Sequence, residues 1–258
     1  MESNTIQSMG KMENGKATPY NFSVSGLISA AWHSIKGYKA ILLGAIVYWL
    51  ITVLALLIVL GLVNAVGVKL FAVDTELMQQ ICSLILTIAT LPLVVGMAML
   101  GIRRSVSLPV KSRDIFNYYK RFWPIFGVYA VEVLICSGIV LLAIVCGVTA
   151  KNAASFVSIL LSIGSFVLSL FFVYLVVGYM FAMVIRVEKN LTLWQSLEAS
   201  RKGISQHWFK VFFGMILVSI VVSISSIPLG IGLIWTLPLM NLFFGMLYRT
   251  MFGVEEVR

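Results

Sequence analysis

Charge is scarce in this chain, and acidic charge scarcest. Asp and Glu number 10 against 19 Lys and Arg, and together they make up only 11% of 258 residues. A water-exposed surface needs more polar cover than that, which excludes an ordinary soluble domain. Histidine occurs only twice, at His33 and His207. There is no HExxH, no phosphate-binding glycine loop, no Gly-x-Ser-x-Gly elbow and no cysteine pair at metal-binding spacing. These absences remove the common motif-borne chemistries. No metal and no cofactor is expected. Cys82, Cys136 and Cys146 all fall inside apolar runs and read as small apolar fillers. The opening "MESNTIQSMGKMENGKATPY" lacks the apolar segment of a cleavable signal peptide. Residues 1–21 read as a flexible tail.

What the chain does have is oil. It is 60% hydrophobic, with a mean hydropathy of +1.01. Apolar runs near 40–63, 77–101, 123–149, 156–185, 210–227 and 230–248 are each near or above the ~18 residues that cross a bilayer core. Lipid offers the backbone no hydrogen-bond partners, so a spanning segment must be a helix or part of a closed barrel. These runs are continuous rather than alternating, so they are read as helices. The fold expected is all-α and polytopic, with six transmembrane helices.

Lysine and arginine orient the spans. Seventeen of the 19 fall on one side: before the first run, between the second and third, between the fourth and fifth, and after the sixth. Lys69 and Lys151 alone lie on the other. Both termini are therefore expected in the cytoplasm. The formal net charge of +9 reads as this topology signal rather than as a nucleic-acid surface, and such a face also attracts anionic headgroups.

Each pair of spans follows a segment of one character. "SVSGLISAAWHSIKGYKAILLG", "KSRDIFNYYKRFWPIFG" and "LTLWQSLEASRKGISQHWFKVFFG" carry apolar residues at helical spacing and close on basic and aromatic residues. They read as short helices lying in the cytoplasmic interface. The exits also match: "PLVVGMAMLGIR", "LVVGYMFAMVIR" and "PLMNLFFGMLYR" each end on arginine. The membrane domain, 22–253, therefore reads as three parallel hairpin repeats, about 22–104, 111–187 and 191–250.

On "LTLWQSLEASRKGISQHWFK", the turn "IPLGIGLIWTLP" and the closing "YRTMFG", the chain resembles the YciC-like bacterial six-helix inner-membrane family. It is also similar to the membrane domain attached to some glycerophosphodiester phosphodiesterases. The resemblance covers roughly 22–253. It implies the six-helix fold and a bacterial cytoplasmic membrane, and it carries no catalytic residue.

Glu132 lies mid-run, by helical rise ~16 Å from Arg121 and near the bilayer centre. A charge there costs at least ~2.5 kcal/mol. It should face the bundle, paired or protonated, with Asn241 at similar depth and Tyr129 one turn away as candidate partners. His33, Lys36, Lys39, Lys120, Arg121, His207 and Lys210 are candidate headgroup contacts. The expected role is non-enzymatic: structural, assembly or lipid-interacting. Partners are membrane lipids and an unidentified membrane protein, with no nucleic acid. The alternative is a small transporter using Glu132. A third reading, an intramembrane enzyme acting on lipid, lacks a nucleophile–base pair.

Overall fold

The computed structural model describes residues 10–13, 16–71, 74–227 and 230–254. The expected turn residue Pro228, the terminal Arg258 and residues 1–9 of the tail lie outside them. The architecture is all-helical apart from two dipeptide strands, β1 (Met12–Glu13) and β2 (Lys16–Ala17), paired antiparallel. Then come α1 (Val24–Ser34), α2 (Lys39–Phe71) and α3 (Thr75–Ser105). A 3-10 helix, Ser112–Arg121, runs into α4 (Phe122–Asn152). The chain continues through α5 (Ser155–Tyr179), α6 (Ala182–Glu188), α7 (Leu193–Ser205), α8 (Trp208–Ser226) and α9 (Leu233–Phe252).

Local chemistry sets several of these boundaries. Asp74 opens α3 by accepting from the Glu76 and Leu77 amides at 2.8 and 3.1 Å. Thr192 and Gln195 cap α7 reciprocally. Between α5 and α6 the helix breaks at Met180–Phe181. The Ser200 hydroxyl serves the break, donating to Gly178 O at 2.7 Å and accepting from the Phe181 amide at 3.3 Å.

Five stretches are long and apolar enough to cross a membrane: Lys39–Lys69, Thr75–Ser105, Ser112–Asn152, Ser155–Glu188 and Trp208–Ser226. The run 230–248, expected as a sixth span, falls largely on α9, and α9 is not among these five. The reason is its surroundings. Of its 20 residues, 12 are buried, so protein rather than lipid faces most of it. It can therefore carry Thr236, Asn241, Tyr248, Arg249 and Thr250, which an outward helix could not. The most apolar segment of α2, by contrast, has no buried residue.

Burial is concentrated at one end. The buried part of α3 begins at Leu91 and runs to Ser105, and that of α5 begins at Leu175. Helix α9 lies parallel to α3 in a fixed register. Asn241 Nδ2 donates to Met97 O at 2.9 Å, Gly245 meets Gly101, and Arg249 Nη1 donates to Ser105 O at 2.6 Å. The backbones touch: a Cβ on Gly245 would stand 2.3 Å from the Gly101 carbonyl carbon.

The amphipathic segments complete this core. Helix α1 packs on α9 and α8 through Leu27 and Ala31, with Ile35 just beyond. The 3-10 helix packs on α2 and α3 through Ile115 and Tyr118. Helix α7 packs on α4, α5 and α6 through Leu197, Ala199 and Ser200. Part of the segment read as a tail also docks. The Gly10 amide donates to Thr250 O at 2.8 Å, the Tyr20 hydroxyl donates to Gly203 O at 2.9 Å, and Tyr20 and Phe22 are buried.

Candidate functional site

Helices α3, α6 and α9 run toward the same end, as their register and contacts require, and each leaves its last carbonyls without helical partners. Arginines supply two of those partners and hold the loops beside them. Arg249 reaches Ser105 O, and Arg121 Nη1 donates to Val187 O at 2.8 Å and to Asn190 Oδ1. Arg186 donates to Leu191 O, and Arg104 Nη2 donates to Lys36 O at 2.8 Å. Much of the basic charge thus also caps helix ends, where it suits the helix dipole. Beside these caps lies a charged group the sequence reading did not single out. The Tyr248 hydroxyl donates to Glu188 Oε2, and Lys189 Nζ stands 3.8 Å from Glu188 Oε1, both ionic side chains 5% exposed. In the sequence it shows as Glu188-Lys189 just past the exit Arg186 and as Tyr248 directly before the exit Arg249.

The three residues expected to meet in mid-membrane do not. Asn241 Oδ1 accepts from the Tyr38 hydroxyl at 2.6 Å, and its amide goes to Met97 O. Tyr129 packs against the main core. Glu132 continues the face of α4 formed by Val128 and Val131, which packs on Leu175, Tyr179 and Ala182. Its Oε2 is buried and has no hydrogen-bond partner among the described residues. Similar expected depth did not make neighbours of Glu132 and Asn241, because α4 packs chiefly on α5 whereas α9 packs chiefly on α3.

The candidate headgroup contacts divide into two sets. His33, Lys36 and Lys120 are exposed. The others hold protein groups. His207 Nε2 donates to Tyr20 O at 2.7 Å, with its ring edge-on to Tyr20 and Phe22. Lys210 Nζ donates to Asn21 Oδ1 at 3.0 Å and lies 5.9 Å from the Phe22 ring centre. Lys39 Nζ sits 4.7 Å over the Trp235 ring, and Arg121 is the cap described above. Burial of Tyr20 in this knot pushes its phenol above the ordinary tyrosine value.

Next to the knot is a groove of about 850 Å³ between α5, the end of α7 and the start of α8. Leu170, Val173, Phe209 and Phe212 form apolar walls, and Ser205, Gln206, His207 and Lys210 stand at one end. Trp208 stacks on Phe212 with ring centres 4.8 Å apart and donates to Tyr174 O at 3.3 Å. Gln206, His207 and Lys210 already donate to Ala17 O, Tyr20 O and Asn21 Oδ1, so the cleft offers an apolar chain a slot, with the spare hydrogens of the Gln206 amide and the Lys210 ammonium at its end. Among the described residues, no group of three or more His, Cys, Asp or Glu is placed to hold a metal.

Fold and site together define a multi-pass, α-helical integral membrane protein. No family model, no curated protein and no solved structure matches the chain.

Proposed function

We propose that the protein is a non-enzymatic, lipid-interacting component of a bacterial cytoplasmic membrane, of the YciC-like kind. In this reading α9 is a sixth span and both termini are cytoplasmic. The observation that carries it is the groove between α5, α7 and α8, whose apolar walls end in Gln206, His207 and Lys210. The three-repeat reading is supported by the order of packing. The 3-10 helix rests on the α2–α3 hairpin before it, α7 rests on α5 and α6 before it, and α1 rests on the last hairpin, α8–α9. Each amphipathic segment thus covers the preceding hairpin in cyclic order. The test is lipid retention. Purified in mild detergent, the wild type should carry phospholipid visible by native mass spectrometry, and Phe209→Ala with Phe212→Ala should carry less. Equal retention by both proteins would remove the groove from the function.

One observation favours a second reading, a transporter. The buried Glu132 Oε2 has no partner among the described residues, and a carboxyl oxygen left unsatisfied at membrane depth is the kind of group that binds a proton or cation. Proton-dependent flux in proteoliposomes that Glu132→Gln abolishes would establish it. Flux unchanged by that substitution, or no flux at all, would leave Glu132 a packing residue.

A further inference from the structure

A second recess, between the start of α2 and the start of the 3-10 helix, is built differently from the groove. Helix α2 presents two faces here. Leu42 and Ala45 are buried at 1% and 0%, and Ile46 and Trp49 pack on the same core, whereas Val47, Leu50 and Ile51 are 52%, 52% and 59% exposed. The second face turns away from the protein, and in a membrane it meets hydrocarbon. The 3-10 helix begins at this level. Gly44 has no side chain to hold it off: a Cβ there would lie 2.6 Å from Ser112 Oγ. Ser112 Oγ donates to Ile41 O at 2.7 Å, and the Lys111 amide donates to Asp114 Oδ2 at 2.8 Å. The start of the segment is therefore fixed, and the nearest carboxylate is engaged by backbone.

Lys111 and Arg113 flank Ser112, and both are exposed. Unlike Arg104, Arg121, Arg186, Arg249 and Lys210, neither spends its side chain on a carbonyl or a carboxylate among the described residues. With Gly44, Val47, Ser112 and Tyr48, they enclose about 540 Å³. Tyr48 is 42% exposed and is held edge-on against Phe116, ring centres 6.0 Å apart. Two free cations and a phenol thus lie one turn from the first lipid-facing side chains. That is the depth of a headgroup phosphate.

We propose that this recess is a binding site for one anionic phospholipid. Arg113 and Lys111 take its phosphate, Tyr48 donates a further hydrogen bond, and its acyl chains lie along Val47, Leu50 and Ile51. Arginine suits the role because its planar guanidinium pairs two phosphate oxygens at once. The proposal rests on the lipid-interacting reading above and adds a headgroup class and a place.

The test uses the full chain in mild detergent, offered equal amounts of phosphatidylglycerol and phosphatidylcholine, with bound lipid counted by native mass spectrometry. Wild type should prefer phosphatidylglycerol. Lys111→Gln with Arg113→Gln should reduce that preference roughly thirtyfold, from about 1 kcal/mol for each of the two basic residues near the surface. Lys111→Arg with Arg113→Lys keeps the charges and should keep most of the preference. Lys11→Gln with Lys202→Gln removes the same charge elsewhere and should keep all of it. If the first variant still prefers phosphatidylglycerol, the site is wrong although lipid binding stands. If the Lys11 and Lys202 variant loses the preference equally, bulk charge explains it and the site is again wrong. If wild type holds neither lipid, this inference and the lipid-interacting reading fall together.

Discussion

At the scale of single residues, glycine separates close packing from mere permission. Gly245 and Gly101 face each other where α9 crosses α3, and a side chain on either would meet backbone at 2.3–2.4 Å. Backbone there cannot step aside, so Gly245→Ala should destabilise by about 1–3 kcal/mol, the usual cost of overpacking. Gly138 has no atom within 4 Å of its missing Cβ, and Gly138→Ala should leave the melt in detergent unchanged or raise it slightly. Equal melting shifts for the two would show that the α3–α9 contact is not as tight as drawn. A different lesson comes from Tyr20. Its phenol is raised by burial, so its folded-state value lies above its unfolded one. Its contribution is then complete below the ordinary value of ~10 and is lost as pH rises through the folded value. Protection of residues 10–13 and 16–22 against hydrogen exchange, taken as the rate relative to an unfolded chain at the same pH, should hold from neutrality to about pH 10 and fall above. Tyr20→Phe, which cannot donate to Gly203 O, should be less protected already at neutral pH and lose little more. An alkaline loss of protection as large in Tyr20→Phe would assign the effect to another group.

At the scale of elements, the amphipathic segments were legible and their destination was not. The stripe through Leu27 and the one through Leu197 followed from helical spacing, and both residues are 2% exposed. Spacing left two surroundings open, lipid or the ends of the bundle, and the stripes bury against hairpins of the same chain. Periodicity reports that a face is covered but not by what. Spin labels at Leu27 and Leu197 should be shielded from a water-soluble relaxation agent, and labels at Ser29 and Glu198 should be open to it. Equal accessibility at all four positions would mean that α1 and α7 do not dock. Helix α9 shows the reverse difficulty. Hydropathy finds helices that face lipid, so it ranks the bare α2 first and passes over the most enclosed helix of the core. The N-terminal strands were missed although Asn14-Gly15 between them is a strong hairpin dipeptide. The polarity around it drew the reading toward a tail, and only the distant partners Thr250 and Gly203 make a docked segment of it.

At the scale of the whole molecule, reporters fused after Arg113 or Arg201 should read cytoplasmic, and those near Asp74 or Asn152 should read periplasmic. An external signal at Arg201 would overturn the orientation drawn from the charge split. The apolar runs of 40–63, 77–101, 123–149 and 156–185 fall within helices apolar enough to cross, and 210–227 overruns its helix by one residue, because lipid imposes its demand on composition directly. The lateral order of those helices was beyond reach. The Glu132–Asn241 pairing failed on this point: helical rise fixes depth, one coordinate of three. Which helix stands beside which is decided by side-chain shape at contacts such as Gly101 against Gly245, and a single sequence does not announce those.

The docking of α1 on α9 also sets a clock. Tyr38 waits for Asn241, 203 residues downstream, and at ~5–20 residues per second the ribosome needs roughly 10–40 s to supply it. For that interval the apolar face of α1 has no partner of its own chain and must shelter against the bilayer surface or an insertion factor. A message cut short before α9 would leave that face open for good, and with it a mark by which a membrane protease could recognise an unfinished chain.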